Sequence, residues 1–250
     1  MKLAVTGKGG AGKTTLAAGL ALLFAEEGKK VIALDCDPDM NLGVALGFPH
    51  PEKIQPISQM KELIAERTQI NPEGPKGYFK LNPRVDDIPE KFSLEYNNVR
   101  LMVMGKVDKA GSGCLCPENT FIKNLISHLV VNRSEVVMLD MVAGSEHLGR
   151  ATAGAVDIFL IIVEPTILGV NTALHIQSLA QSLGLKKIFF AGNKIMGGED
   201  IKFLEDNLKE KITGFISFNQ IIQRNRGRFE FDAKLKEEFR DIYLKLKGEN

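Results

Sequence analysis

The sequence predicts an α/β protein: a doubly wound, mostly parallel sheet flanked by helices in three layers. Three observations carry this. Seven short apolar runs are continuous rather than alternating, as strands covered on both faces require. Stretches with helical spacing of apolar residues fall between them, and strands alternating with helices imply right-handed crossovers. A glycine-rich segment follows the first run directly and opens into a helical stretch.

The seven runs lie at 2–6, 30–35, 99–104, 135–140, 157–163, 187–191 and 212–217. After the first, a helical stretch from Lys13 places Leu16, Leu20, Leu23 and Phe24 on one stripe. The second run ends in a cluster of acids. Residues from about 49 to 98 then read as an irregular insertion, rich in Pro and Gly, with one helix at 57–67. Its expected place is over the sheet edge or over the nucleotide. A helix at 119–131 aligns Phe121, Leu125 and Leu129. At 232–247, Leu235, Phe239, Ile242 and Leu246 share a face. The opposite face mixes Lys, Glu, Arg and Asp, which favours a helix packed on the core over one lying on a membrane. No internal repeat interrupts the pattern, and 1–250 reads as a single domain.

A chain of 250 residues with 44% hydrophobic content can bury a sizeable core. A net charge of +1 supplies no global field for nucleic acid or an anionic membrane. No apolar run reaches the roughly 18 residues of a membrane helix, and no secretory leader is expected before the first strand. Three cysteines do not make a disulfide framework. The expected setting is the cytoplasm, with neither membrane nor nucleic acid as partner.

The segment Gly7-Lys8-Gly9-Gly10-Ala11-Gly12-Lys13-Thr14-Thr15 satisfies G-x-x-x-x-G-K-[ST] between strand and helix. Glycines let the backbone wrap close to phosphate with its N–H groups turned inward. The helix behind presents its positive end to the same anion. Lys13 is placed to reach the β- and γ-phosphates, and the Thr14 hydroxyl to hold Mg²⁺. The fold class is therefore that of a P-loop NTPase.

Lys8 is not required by that motif. With it, the run resembles the K-G-G-x-G-K-[ST] signature of the deviant Walker A ATPases, which include the nitrogenase iron protein, the septum-site (MinD) and chromosome-partition (ParA) ATPases and the nickel-insertion ATPases. The resemblance implies that Lys8 crosses a homodimer to the partner's phosphates. Physically it would act as an arginine finger does, a device worth roughly 10³–10⁵ in rate. It also implies that Asp37, before Pro38, orients or activates the attacking water; Asp39 is an alternative, acting through Mg²⁺-bound water. The run 136–140 looks like a Walker B strand whose Asp140 binds Mg²⁺. It continues into Asp140-Met141-Val142-Ala143-Gly144, similar to the family's second switch, where the Gly144 N–H would sense the γ-phosphate. Val142 departs from the glycine expected in the nickel-insertion branch. His147, just beyond, reads as structural. Asn193 follows the sixth run with a side chain able to pair N6 and N7 of adenine. Its neighbours lack the Asp of a guanine-reading motif, which favours ATP over GTP.

Cys114-Leu115-Cys116 precedes Pro117, a residue suited to the first helical position. A helix N-terminus lowers thiol pKa and makes thiolate ligands available. One pair cannot fill a four-coordinate site, whereas two pairs meeting on a two-fold axis can. Four thiolates in a tetrahedron suit Zn²⁺, a square plane suits Ni²⁺, and an iron–sulfur cluster has the same stoichiometry. Together with Lys8, the pair resembles the CooC-type ATPases that insert nickel into carbon monoxide dehydrogenase. That resemblance, not ligand chemistry, selects Ni²⁺, with Zn²⁺ as its substitute in vitro. It implies an ATP/ADP-driven metallochaperone serving carbon monoxide dehydrogenase or acetyl-CoA synthase. Two alternatives stand beside it: a cluster-carrying electron-transfer ATPase, and a MinD- or ParA-like positioning ATPase. Cys36 lies apart and reads as a packed thiol.

Overall fold

A computed structural model describes residues 1–70, 79–105, 117–132, 134–142, 156–208, 212–220 and 229–248. Cys114, Cys116, Gly144 and His147 lie outside the described residues.

Among the described residues one sheet has eight strands in the order β3-β4-β2-β5-β1-β6-β7-β8. They are β1 (Lys2–Gly7), β2 (Val31–Asp35), β3 (Leu94–Tyr96), β4 (Val99–Val103), β5 (Val136–Asp140), β6 (Ile158–Val163), β7 (Ile188–Ile195) and β8 (Ile212–Ser217). All neighbouring pairs are parallel except β3 with β4. The chain winds to one side of β1 through β2, β4 and β5, then to the other through β6, β7 and β8. The order reverses at β1, and a ligand crevice is expected there, beyond the carboxyl ends of the strands.

The helices are α1 (Lys13–Glu26), α2 (Leu42–Ala45), α3 (Lys61–Thr68), α4 (Ile88–Phe92), α5 (Pro117–Asn132), α6 (Ile167–Ser182), α7 (Gly198–Leu208) and α8 (Ala233–Lys247). Successive strand residues point to opposite faces, and each face has its own core. Ile32 and Leu34 join Phe121, Leu125 and Leu129 of α5 on one side. Val31 and Ala33 join Leu16, Leu20 and Phe24 of α1 with Phe239 and Ile242 of α8 on the other. Burial of both faces is why the strands read as unbroken apolar runs. As the pattern at 232–247 implied, α8 packs on the core: Leu235, Phe239, Ile242 and Leu246 are all buried. Asp232 caps it by accepting a hydrogen bond from Leu235 N at 2.8 Å.

Three expectations about elements need correction. The strand at 94–96 was not foreseen; all three of its residues are exposed, so no apolar run marks it. The helix expected at 57–67 is two pieces, a 3₁₀ turn Ile57–Gln59 and α3, broken at Met60, whose ψ of 64° is not helical. Ser58 N donates to Met104 O at 3.0 Å, which ties the turn to the end of β4. Finally, the strand ending at 191 continues to Ile195, because Asn193 and Ile195 still pair with Ile216 and Ser217 of β8, across an irregularity at Lys194. Asn193 is thus inside a strand rather than beyond it. The described part of the 49–98 stretch is folded onto the sheet: Ile57, Ile64, Val85 and Ile88 are buried in the core beside α5. Among the described residues no helix is long and apolar enough to cross a membrane.

Candidate nucleotide site

The loop between β1 and α1 sits at the point where strand order reverses. Its turn is closed by Ala11 N donating to Lys8 O at 3.0 Å. Gly12, with φ +101°, occupies the left-handed region, and a Cβ there would come within 2.3 Å of Asn193 Nδ2. Only glycine fits both demands. Gly10 also has positive φ, and Ala11 is fully buried. Gly12 provides no side-chain cap to α1, and the first turn of α1 contains no acid. The first N–H groups of a helix lack intrahelical partners, so this end is open to an anion. Lys13 is 8% exposed at that end, with Thr14 and Thr15 following in the same turn.

Two strands on one side of β1 deliver carboxylates to the same edge. Asp35 ends β2 and Asp140 ends β5, and the two are register partners, both fully buried. Asp35 is well satisfied: Oδ1 accepts from Asp37 N at 3.1 Å and Oδ2 from Leu42 N at 2.9 Å. It thereby ties the Asp37–Asp39 turn to the start of α2. Asp37 in turn accepts from Asp39 N at 3.0 Å. Asp140 is different. Among the described residues neither of its oxygens has a hydrogen-bond partner. Burial pushes its pKa up to about 7, while the nearby Thr14 hydroxyl pulls the other way and the Asp35 charge adds to the rise. Burial likewise raises Asp35 to about 6, against the pull of its backbone donors. A buried carboxyl without a partner is costly. Beside a threonine hydroxyl at a helix start, this donor set fits a hard divalent cation such as Mg²⁺, which takes oxygen ligands.

On the other side of β1, β7 braces the loop. Asn193 Nδ2 donates to Ala11 O at 2.7 Å, and Lys194 Nζ to Gly10 O at 2.8 Å. This uses one amide N–H of Asn193 and commits the side chain to the loop backbone. Lys194 also pairs with Glu164, which follows β6, and Lys8 reaches the same carboxylate at 3.7 Å. The structure thus brings together Gly9, Gly10, Ala11, Gly12, Lys13, Thr14, Thr15, Asp37, Asp140 and Asn193 at one end of the sheet. Cys36 is buried, and burial beside three acids raises its thiol pKa, so it stays protonated.

Asp35 was read from the sequence only as part of the acid cluster that ends the second strand, without a role of its own, and Glu164 and Lys194 were not singled out. Glu164 was legible in principle, since it too closes an apolar strand and such positions face the crevice. Lys194 gave no signal; its φ of +62° is visible only in the folded chain.

A glycine loop at the switch point of a doubly wound sheet, with a buried lysine at the helix start and a buried acid on the next strand, defines a P-loop nucleoside triphosphatase. The chain belongs to the family described as CobQ/CobB/MinD/ParA nucleotide binding domain, which matches residues 2–230. It is 44% identical over 226 residues to the carbon monoxide dehydrogenase accessory protein CooC of Rhodospirillum rubrum, covering 89% of this chain and 86% of that one. It is 40% identical over 258 residues to an uncharacterized ATP-binding protein of Methanocaldococcus jannaschii, covering 99% of each. The MinD cell division protein of Aquifex aeolicus superposes with a TM-score of 0.69 at 21% identity, over 99% of this chain and 97% of that one. At that identity the likeness shows the fold alone. The resemblance to the CooC-type ATPases drawn from the sequence therefore holds, and the protein is an ATPase that uses ATP with Mg²⁺.

Proposed function

We propose that the protein is an ATP-dependent metallochaperone that works as a homodimer in the cytoplasm. It carries Ni²⁺ between two Cys114/Cys116 pairs and delivers it to a nickel enzyme, carbon monoxide dehydrogenase or acetyl-CoA synthase. The observation that carries this reading is the 44% identity to a carbon monoxide dehydrogenase accessory protein along 89% of the chain. The Cys-Leu-Cys motif supplies the ligand type.

In this reading the loop 9–15 and Lys13 bind the triphosphate, and Asn193 contributes to the base side. Thr14 and Asp140 hold Mg²⁺, which neutralises charge on the β- and γ-phosphates when bound. Asp37 orients the attacking water. Asp35 supports it, because the Asp37 backbone N–H is held on the Asp35 carboxylate at 3.1 Å. Lys8 acts on the partner's phosphates, and Gly144 reports the γ-phosphate to the following segment. Closure on ATP brings the cysteine pairs together and opening after hydrolysis releases the cargo. Metal and nucleotide then favour the same closed pair and must strengthen each other's binding.

The test is molecular mass by sedimentation, with Ni²⁺ and with a non-hydrolysable ATP analogue, alongside metal content of protein purified anaerobically. A dimer retaining half an equivalent of nickel per subunit is expected. A monomer under both saturating conditions rules the scheme out, and a brown, iron-containing preparation would instead favour a cluster carrier.

A further inference from the structure

We infer that Glu164 is a positioning residue that holds Lys8 in reserve on its own subunit until the phosphates of a second copy compete for it. The inference rests on the dimeric reading above and adds to it the contact that keeps a lone subunit from deploying its finger lysine.

The geometry is that of one carboxylate shared by two unlike cations. Glu164 directly follows β6, at the same sheet edge as the phosphate loop, and its side chain is 14% exposed. A carboxylate so enclosed needs a cation beside it. Lys194 is the fixed one. Its backbone is held in the left-handed region, and its ammonium bonds both Glu164 and Gly10 O. Lys8 is the releasable one. The two lysines are about equally exposed, 38% and 40%, but the contact of Lys8 with Glu164, at 3.7 Å, is longer than a good hydrogen bond, whereas Lys194 is hydrogen-bonded at two points. A bridge this long, with its lysine end open to solvent, is weak, so a triphosphate with several negative charges outcompetes it. When Lys8 departs, Glu164 keeps Lys194, and no enclosed charge is left unpaired. A fixed partner for the carboxylate is what makes the other lysine cheap to release.

The segment after Glu164 places this contact where a second copy would lie. Thr166 caps α6 by accepting from Gly169 N at 3.0 Å. Ile167 and Leu168, at the start of α6, are 70% and 67% exposed. Two large apolar side chains so open, three and four residues beyond Glu164, fit a surface covered on pairing. Covering them excludes water next to the Glu164–Lys8 bridge at the moment the competing phosphates arrive.

The experiment measures the protein concentration at half-dimerisation in saturating non-hydrolysable ATP, by sedimentation, for the wild type, E164Q, E164D, K8A and K8A/E164Q. Nucleotide affinity at low protein concentration is followed with a fluorescent analogue. Each dimer releases two such bridges, so losing this weak surface bridge in both subunits corresponds to a shift of up to about 25-fold. E164Q is expected to dimerise at a concentration about two- to 25-fold lower than wild type, a larger change than any in single-subunit nucleotide affinity. E164D, whose shorter arm weakens the bridge while keeping the charge, should shift less in the same direction. In the K8A background E164Q should shift nothing. An unchanged or higher dimerisation midpoint in E164Q overturns the inference while leaving the dimer reading intact. So does a shift that persists without Lys8, since Glu164 would then act through Lys194. A wild type that stays monomeric throughout overturns both.

Discussion

Asp140 and Asp35 carry the most unusual chemistry at single positions. Both are fully buried at the ends of adjacent strands, with pKa values raised to about 7 and about 6 from the ordinary carboxyl value of 3.8. The folded state therefore binds their protons more tightly than the unfolded chain does. Their contribution to stability is fully present below about pH 4 and is lost as pH rises through 6 and 7. Without Mg²⁺ and nucleotide, these two groups should make the protein melt higher at pH 5 than at pH 8. Asp140→Asn removes the charge without changing the shape. It is expected to flatten that profile and to stabilise the nucleotide-free protein at pH 8 by on the order of 2 kcal/mol. It should also abolish the extra thermal stability that Mg²⁺-ATP gives the wild type. Melting curves at the two pH values check this, and a variant less stable than wild type at pH 8 would refute the account. The strand-end position of both acids was evident from the sequence. Their burial was not, nor that Asp140 alone of the two lacks a hydrogen-bond partner among the described residues.

At the scale of elements, the phosphate loop is clamped between β1, which launches it, and β7, which holds Gly10 O and Ala11 O through Lys194 and Asn193. Asn193→Ala removes one buried hydrogen bond and leaves Ala11 O without that donor, a loss of about 1–3 kcal/mol. The expected result is ATP binding weakened at least several-fold, with the far-UV circular dichroism unchanged. Gly12→Ala should be worse, because the added Cβ meets Asn193 Nδ2 at 2.3 Å and φ stays at +101°. Isothermal titration of both variants tests the pair, and wild-type affinity in either would mean that the clamp does not shape the loop. The sequence announced the loop through its glycines and the two halves of the sheet through unbroken apolar runs. It did not announce that β7 reaches as far as Ile195, because Gly192-Asn193-Lys194 is turn chemistry on local grounds. Only pairing with β8 makes it a strand.

For the whole molecule, the order of strands explains why chemistry so spread along the chain converges. Residues from 8 to 194 meet because β5, β1, β6 and β7 are neighbours in space although not in sequence. On the proposed scheme, the second copy completes the site with a lysine and completes the cargo site with two thiolates. Substituting Cys114→Ala together with Cys116→Ala should leave measurable ATP hydrolysis and remove nickel retention. Equilibrium dialysis and phosphate release read the two separately, and undiminished nickel affinity in the double variant would move the cargo site elsewhere.

The sequence alone determined the layered α/β architecture, the triphosphate loop and the nucleotide-hydrolysing class. These depend on periodicity and on a contiguous motif, both written in neighbouring residues. The tertiary structure decided which carboxyls are buried and which are satisfied, where β7 ends, and that Lys8 shares Glu164 with Lys194. Each of these is set by residues distant in the chain, whose approach only the packed sheet brings about.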